Sequence, residues 1–177
     1  MRPYLQRPHP ALAAAQNREM AEKIEALGET GDWLVIRGFK VIDDQLAAMT
    51  GGPLSHVGIY DKERALVIES ERNHGVHTTP LSNYVAKTYR MVLVRPFWAK
   101  DGGGAEAVAA ARQLCGKKYN LGGILLGLRA RDRYYCTDLV VDVYQKRFAP
   151  DQEFEAILMP MALLSWGRVV WDSGPRP

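Results

Sequence analysis

Residues 55–70 read SHVGIYDKERALVIES, two short apolar runs separated by four charged residues. Runs of this length with a polar break between them predict an antiparallel hairpin, with strands at 55–60 and 65–70 and a loop over DKER. The apolar pattern then selects the pairing. With a loop of two or four residues, Val57 faces Ile68 and Ile59 faces Leu66, so one side of the hairpin is wholly apolar. On the other side His56 faces Glu69 and Gly58 faces Val67. An odd loop would turn Glu69 into the apolar side. Opposed side chains lie about 4.5–5.5 Å apart at Cβ, so the favoured register brings an imidazole beside a carboxylate.

The segments around the hairpin extend the same plan. Residues 11–27 have helical spacing, with Leu12, Met20, Ile24 and Leu27 roughly on one face and Gly28 as a stop. Strands are expected at 32–37, over GVHTTPL ending at Pro80, at 89–96 and over GRVVW at 167–171. DDQLAAM at 43–49 reads as one or two helical turns and LSNYVAK as a short helix. DGGG at 101–104 reads as a flexible loop before a helix over 105–116. A short apolar helix near 121–128 reads as core. Another begins near Cys136, a further short one covers MPMALLS, and DSGPRP should fray. No repeat or linker divides the chain. The expected fold is α+β, a mostly antiparallel sheet flanked by helices. Residues 1–30 form an accessory arm and helix, and 31–177 form the main domain.

Composition narrows the function classes. With 177 residues, 47% hydrophobic and 24% charged, the chain can bury a core. A net charge of +3 is too weak to argue for nucleic acid, and the one basic cluster, RARDR at 129–133, reads as solvated loop. Two cysteines, Cys115 and Cys136, make no disulfide framework. Metal-ligand spacing is absent. Of His9, His56, His74 and His77, the last two are close together, but no cysteine accompanies them and they read as loop residues. No signal peptide or membrane-spanning run is visible, so a cytoplasmic protein with free thiols is expected.

The cysteines differ in setting. Cys115 falls at the C-terminal end of a helix and reads as structural. Cys136 heads a helix whose Leu139, Val140 and Val143 follow at core-facing positions. Anions, thiolates among them, are stabilised at a helix N-terminus. Exposed N–H groups there can also bind an oxyanion. A small buried core residue fits Cys136 as well. The His56–Glu69 register tips the balance, because a nucleophile, a base and an orienting carboxylate then complete one set.

GKKYNLGG at 116–123 followed by YYCTDLVVDVY at 134–144 resembles the Gly-x-x-Tyr-x-x-Gly-Gly…Cys-Ser/Thr-x-Leu-Val signature of NlpC-type cysteine peptidases. The histidine segment SHVGIY precedes the cysteine, the reverse of the usual order. That order resembles the circularly permuted, YiiX-like branch, which is related to the lecithin–retinol acyltransferase group. GDWLVIRG, VIES, GVHTTPLSNYV, VLVRP and MPMALLS occur in the branch's order over residues 31–171. Residues 1–27 have no place in the pattern, and Thr137 stands where serine is more usual. The resemblance implies a papain-like domain with Cys136 as nucleophile, His56 as base, Glu69 as orienting group and Tyr119 lining the substrate site.

The resulting expectation is a thiol hydrolase that cleaves an amide, as a peptidase or amidase, through a thioester and without metal or organic cofactor. The alternatives are a lipid hydrolase or acyltransferase of the lecithin–retinol type, and a non-catalytic binding module on the same fold. The expected partner is a small peptide or an acyl-lipid substrate. No nucleic acid is expected, and nothing in the sequence specifies an oligomeric state.

Overall fold

The computed structural model describes residues 9–39, 52–127, 130 and 132–175. The strands are β1 (Trp33–Gly38), β2 (His56–Asp61), β3 (Leu66–Glu71), β4 (Gly75–Pro80), β5 (Thr88–Pro96), the two-residue β6 (Lys118–Tyr119) and β7 (Arg133–Tyr134), and β8 (Gly167–Asp172). The helices are α1 (Pro10–Leu27), α2 (Leu81–Ala86), α3 (Gly103–Gln113), α4 (Leu121–Leu126) and α5 (Cys136–Asp142), and Pro160–Trp166 forms a 3₁₀ helix. Six strands make one sheet in the order β4-β3-β2-β1-β5-β8, and every neighbouring pair is antiparallel. β6 and β7 form a small parallel pair. The expected α+β class with a mostly antiparallel, helix-flanked sheet is the one observed. The helical turns expected at 43–49 lie outside the described residues.

Strand alternation splits the core in two. Trp33, Val35, Val57, Ile59, Ile68, Val92 and Val94 face α3 and α5, where Ala107, Val108, Ala111, Leu139 and Val140 complete the cluster. Leu34, Ile36, Tyr60, Val67, Met91 and Leu93 face the opposite way and are covered by Met20 and Ile24 of α1 and by Leu81, Tyr84 and Val85 of α2. Both sheet faces are therefore buried, and the near-continuous apolar strands β1 and β5 follow from that.

The β2–β3 hairpin has the predicted faces but a different pairing. Gly58 pairs with Glu69, Ile59 with Ile68, Tyr60 with Val67 and Asp61 with Leu66. A 3₁₀ turn over Lys62–Arg64 ends at Ala65, which takes φ 50°, so the loop runs over 62–65 and Asp61 joins the ladder. The shift is two residues in register, which preserves every side chain's face. His56 and Glu69 are consequently diagonal neighbours, not opposed ones.

Four other expectations change. DGGG is not a free loop: α3 begins at Gly103, and Gly104 packs so tightly that a Cβ there would meet the Thr30 carbonyl oxygen at 2.1 Å. His77 lies on β4, inside the strand expected over GVHTTPL and so not in a loop, and His74 lies in the tight turn before it. The helix expected as core near 121–128 ends at Leu126, with Leu121 41% and Leu126 71% exposed. The tail does not fray at once, because Ser173 exchanges hydrogen bonds with the Met91 backbone and Asp172 pairs with Arg90.

Candidate active site

α5 is clamped at its first turn from two directions. The Ser70 hydroxyl donates to the Tyr134 carbonyl at 2.6 Å, tying β3 to the residues before the helix. The Thr137 hydroxyl donates to the Leu158 carbonyl at 2.5 Å, and the Leu158 N–H donates to the Tyr135 hydroxyl at 3.1 Å. Further along, the Trp33 indole donates to the Val140 carbonyl at 3.2 Å, and the Tyr144 hydroxyl donates to the Gly31 carbonyl at 2.8 Å. The threonine in place of the more usual serine keeps its hydroxyl bond and adds a buried methyl. Cys136 heads this fixed helix and is 4% exposed.

His56, the first residue of β2, joins Cys136 to Glu69. Its Nε2 lies 2.6 Å from Glu69 Oε2, and its ring is close enough to the Cys136 thiol for the two to interact. Glu69 is fully buried, which an ionised carboxylate tolerates only with several partners. It has them: Thr79 on β4 donates to Oε1 at 2.6 Å, and Lys87 donates to both oxygens at 2.7 and 2.6 Å. Lys87 also donates to Glu71 at 2.9 Å and lies 4.8 Å from the Tyr84 ring centre. Tyr84 in turn packs 6.2 Å from the His56 ring.

Protonation follows from these contacts. Burial alone would favour a neutral His56, but the bonds to Cys136 and Glu69 outweigh it and push the ring's pKa up to about 10. Burial would likewise raise Glu69, yet His56 and Lys87 hold its carboxyl well below the usual carboxylate range. Tyr119, on β6 beside Tyr134 of β7, has its phenol raised by burial first and then by the proximity of Cys136. Cys115 is exposed beyond the end of α3, its thiol directed to the Ala111 carbonyl at 3.8 Å and raised by partial burial.

The structure thus brings Cys136, His56 and Glu69 into one line of contacts, with Tyr119 beside it. Sequence reading missed Thr79 and Lys87. Thr79 carried a faint signal, since it lies two residues from His77, the observed partner of Glu69 across the β3–β4 ladder, and so shares its face. Lys87 carried none, because it reaches Glu69 from the end of α2.

A sheet whose histidine strand precedes in sequence the cysteine-headed helix packed on one face is a papain-like arrangement in permuted order. The chain belongs to the family of permuted papain-like amidase enzymes, the YaeF/YiiX, C92 family, which its sequence matches over residues 8–169. Among solved structures it is similar to a crystal structure described as metalloprotein yiiX from Escherichia coli O157:H7, with a TM-score of 0.64 and 17% identity over 85% of this chain and 98% of that one. At that identity the likeness speaks to the fold alone. No curated protein matches.

Proposed function

We propose that this protein is a thiol-dependent amidase in which Cys136 is the nucleophile, His56 its proton partner and Glu69 the group that orients the imidazole. The observation that carries this reading is the unbroken line of contacts from Cys136 through His56 to a buried, doubly anchored Glu69. Membership of an amidase family supports the amide as substrate class.

The raised His56 pKa alters the expected first step. The ring holds its proton through neutral pH, and in this mechanism Cys136 reacts as the thiolate beside it. Sulfur attacks the amide carbon, and the carbonyl electrons move to oxygen. The first-turn N–H groups of α5, which lack intrahelical partners, face that developing charge. His56 gives its proton to the departing nitrogen as the C–N bond breaks, leaving a thioester. The neutral ring then takes a proton from water, the hydroxide attacks the thioester, and the departing sulfur restores the ion pair. Tyr119 lines the substrate side of the thiol.

A lipid ester is the second reading. It is favoured by Leu121 and Leu126, which stand exposed on the helix directly after Tyr119. A panel of peptide amides, acyl esters and lipids, each run against Cys136→Ala, separates the two. Amide turnover that vanishes in the variant is expected. Turnover that survives Cys136→Ala would sink the thiol mechanism.

A further inference from the structure

The turn between β3 and β4 gathers three metal-ligating side chains that the thiol mechanism does not use. Glu71 closes β3, His74 lies in the turn and His77 is on β4. Glu71 pairs with Gly75 and Glu69 with His77, so Glu69, Glu71 and His77 share one sheet face. The three-residue loop 72–74 closes on Gly75 at φ 65°, a left-handed residue that suits a hairpin of this length. A Cβ at Gly75 would also meet the Lys117 carbonyl oxygen at 2.1 Å, so the turn is locked against that loop. This folding places His74 over the strand ends, with its ring centre 5.3 Å from that of His77.

Both imidazoles converge on one oxygen without touching it. His74 Nδ1 is 3.8 Å and His77 Nε2 is 3.7 Å from Glu71 Oε2, and one donor atom from each of the three residues lies within 4.8 Å of the other two. A direct N–H···O bond would close to about 2.7–3.2 Å. Zinc–nitrogen bonds of about 2.0–2.1 Å instead set tetrahedral donors about 3.4 Å apart. We propose that Glu71 Oε2, His74 Nδ1 and His77 Nε2 form a divalent transition-metal site of the zinc class.

The surroundings orient the ligands as such a site requires. His77 Nδ1 lies 3.0 Å from the Gly75 carbonyl, which can only accept, so the hydrogen is on Nδ1 and Nε2 presents its lone pair. Lys87 donates to Glu71 Oε1, the oxygen that does not face the imidazoles. His74 is 66% exposed and can rotate the last few tenths of an ångström. Three protein ligands leave a position for water or a fourth ligand. Glu69 Oε1 is 3.8 Å from His77 Nε2, so an ion here is linked to the carboxylate that holds His56. That linkage rests on the thiol reading, whereas the site itself does not.

Zinc titration by calorimetry tests the site in full-length Cys115→Ser/Cys136→Ala protein, because thiols bind zinc themselves. One zinc per chain is expected, with affinity falling about tenfold or more in His74→Ala or His77→Ala and binding lost in the double histidine variant. Failure of the thiol-free protein to bind zinc, or unchanged binding after loss of both histidines, overturns the proposal. If removing both thiols unfolds the chain, His74→Ala/His77→Ala in the otherwise natural sequence must lower zinc stoichiometry by one. An unchanged stoichiometry there refutes it. The cobalt(II) form of the thiol-free protein should show ligand-field bands without a sulfur charge-transfer band. Loss of amidase activity in Cys136→Ala bears on the thiol mechanism alone and leaves this outcome separate.

Discussion

Cys136 and Cys115 present the two extremes that a thiol can meet in one small domain. Cys136 is 4% exposed and linked to an imidazole whose far nitrogen is held by a buried carboxylate; Cys115 is exposed, has no such partner among the described residues, and is raised by partial burial. Reactivity follows the anion and not exposure alone. Iodoacetamide at neutral pH should therefore modify Cys136 faster than Cys115, followed site by site by mass spectrometry. Glu69→Gln should remove that advantage and lower kcat/KM by about a hundredfold or more, as loss of the orienting carboxylate does in comparable sets. Equal labelling of the two cysteines in the natural sequence would speak against the pairing. The shared face of His56 and Glu69 could be read from the sequence, because strand parity assigns both hairpin residues to one face whichever even register is adopted. The anchors Thr79 and Lys87 lie outside that hairpin, so its alternation does not identify them.

Elements here are positioned by close backbone approach as much as by apolar stripes. α3 crosses the entry to β1 where Gly31, at φ 99°, meets Gly104, and a Cβ on Gly31 would lie 2.3 Å from the Gly104 Cα. Gly104→Ala would drive its methyl group into the Thr30 carbonyl, a backbone atom that cannot turn aside. Overpacking of this kind costs about 1–3 kcal/mol, which in a domain of this size lowers Tm by about 2–12 °C; calorimetric melting measures it. An unchanged Tm would show that the helix start can shift freely. A glycine run without its neighbours reads as a flexible loop, so DGGG gave no sign of a tight crossing. Ala65 is the matching case in the hairpin: a left-handed alanine has no sequence signature, and it moved the loop by one residue and the pairing by two.

Across the whole molecule, the charged line through the sheet makes stability depend on pH at both ends. Glu69 has its folded pKa depressed below the ordinary value of 4.5, so its contribution is present above that value and is lost as pH falls through the folded one. His56 is raised from 6.5 to about 10, so its contribution is complete below 6.5 and fades as pH climbs toward 10. Tm should thus be highest between about pH 5 and 6.5, with His56→Ala flattening the alkaline limb and Glu69→Gln the acid one. A Tm that does not vary from pH 6 to 10 would contradict the His56 contribution. Local patterning is enough for the α+β class, the helix-flanked antiparallel sheet and the residues able to form a thiol–imidazole–carboxylate set, because alternation and residue chemistry are local properties. The diagonal pairing of His56 with Glu69, the anchoring by Thr79 and Lys87, and the convergence of His74 and His77 on Glu71 arise only on folding. A two-residue slip leaves every face unchanged, and contacts between separate elements exist only once the sheet has assembled.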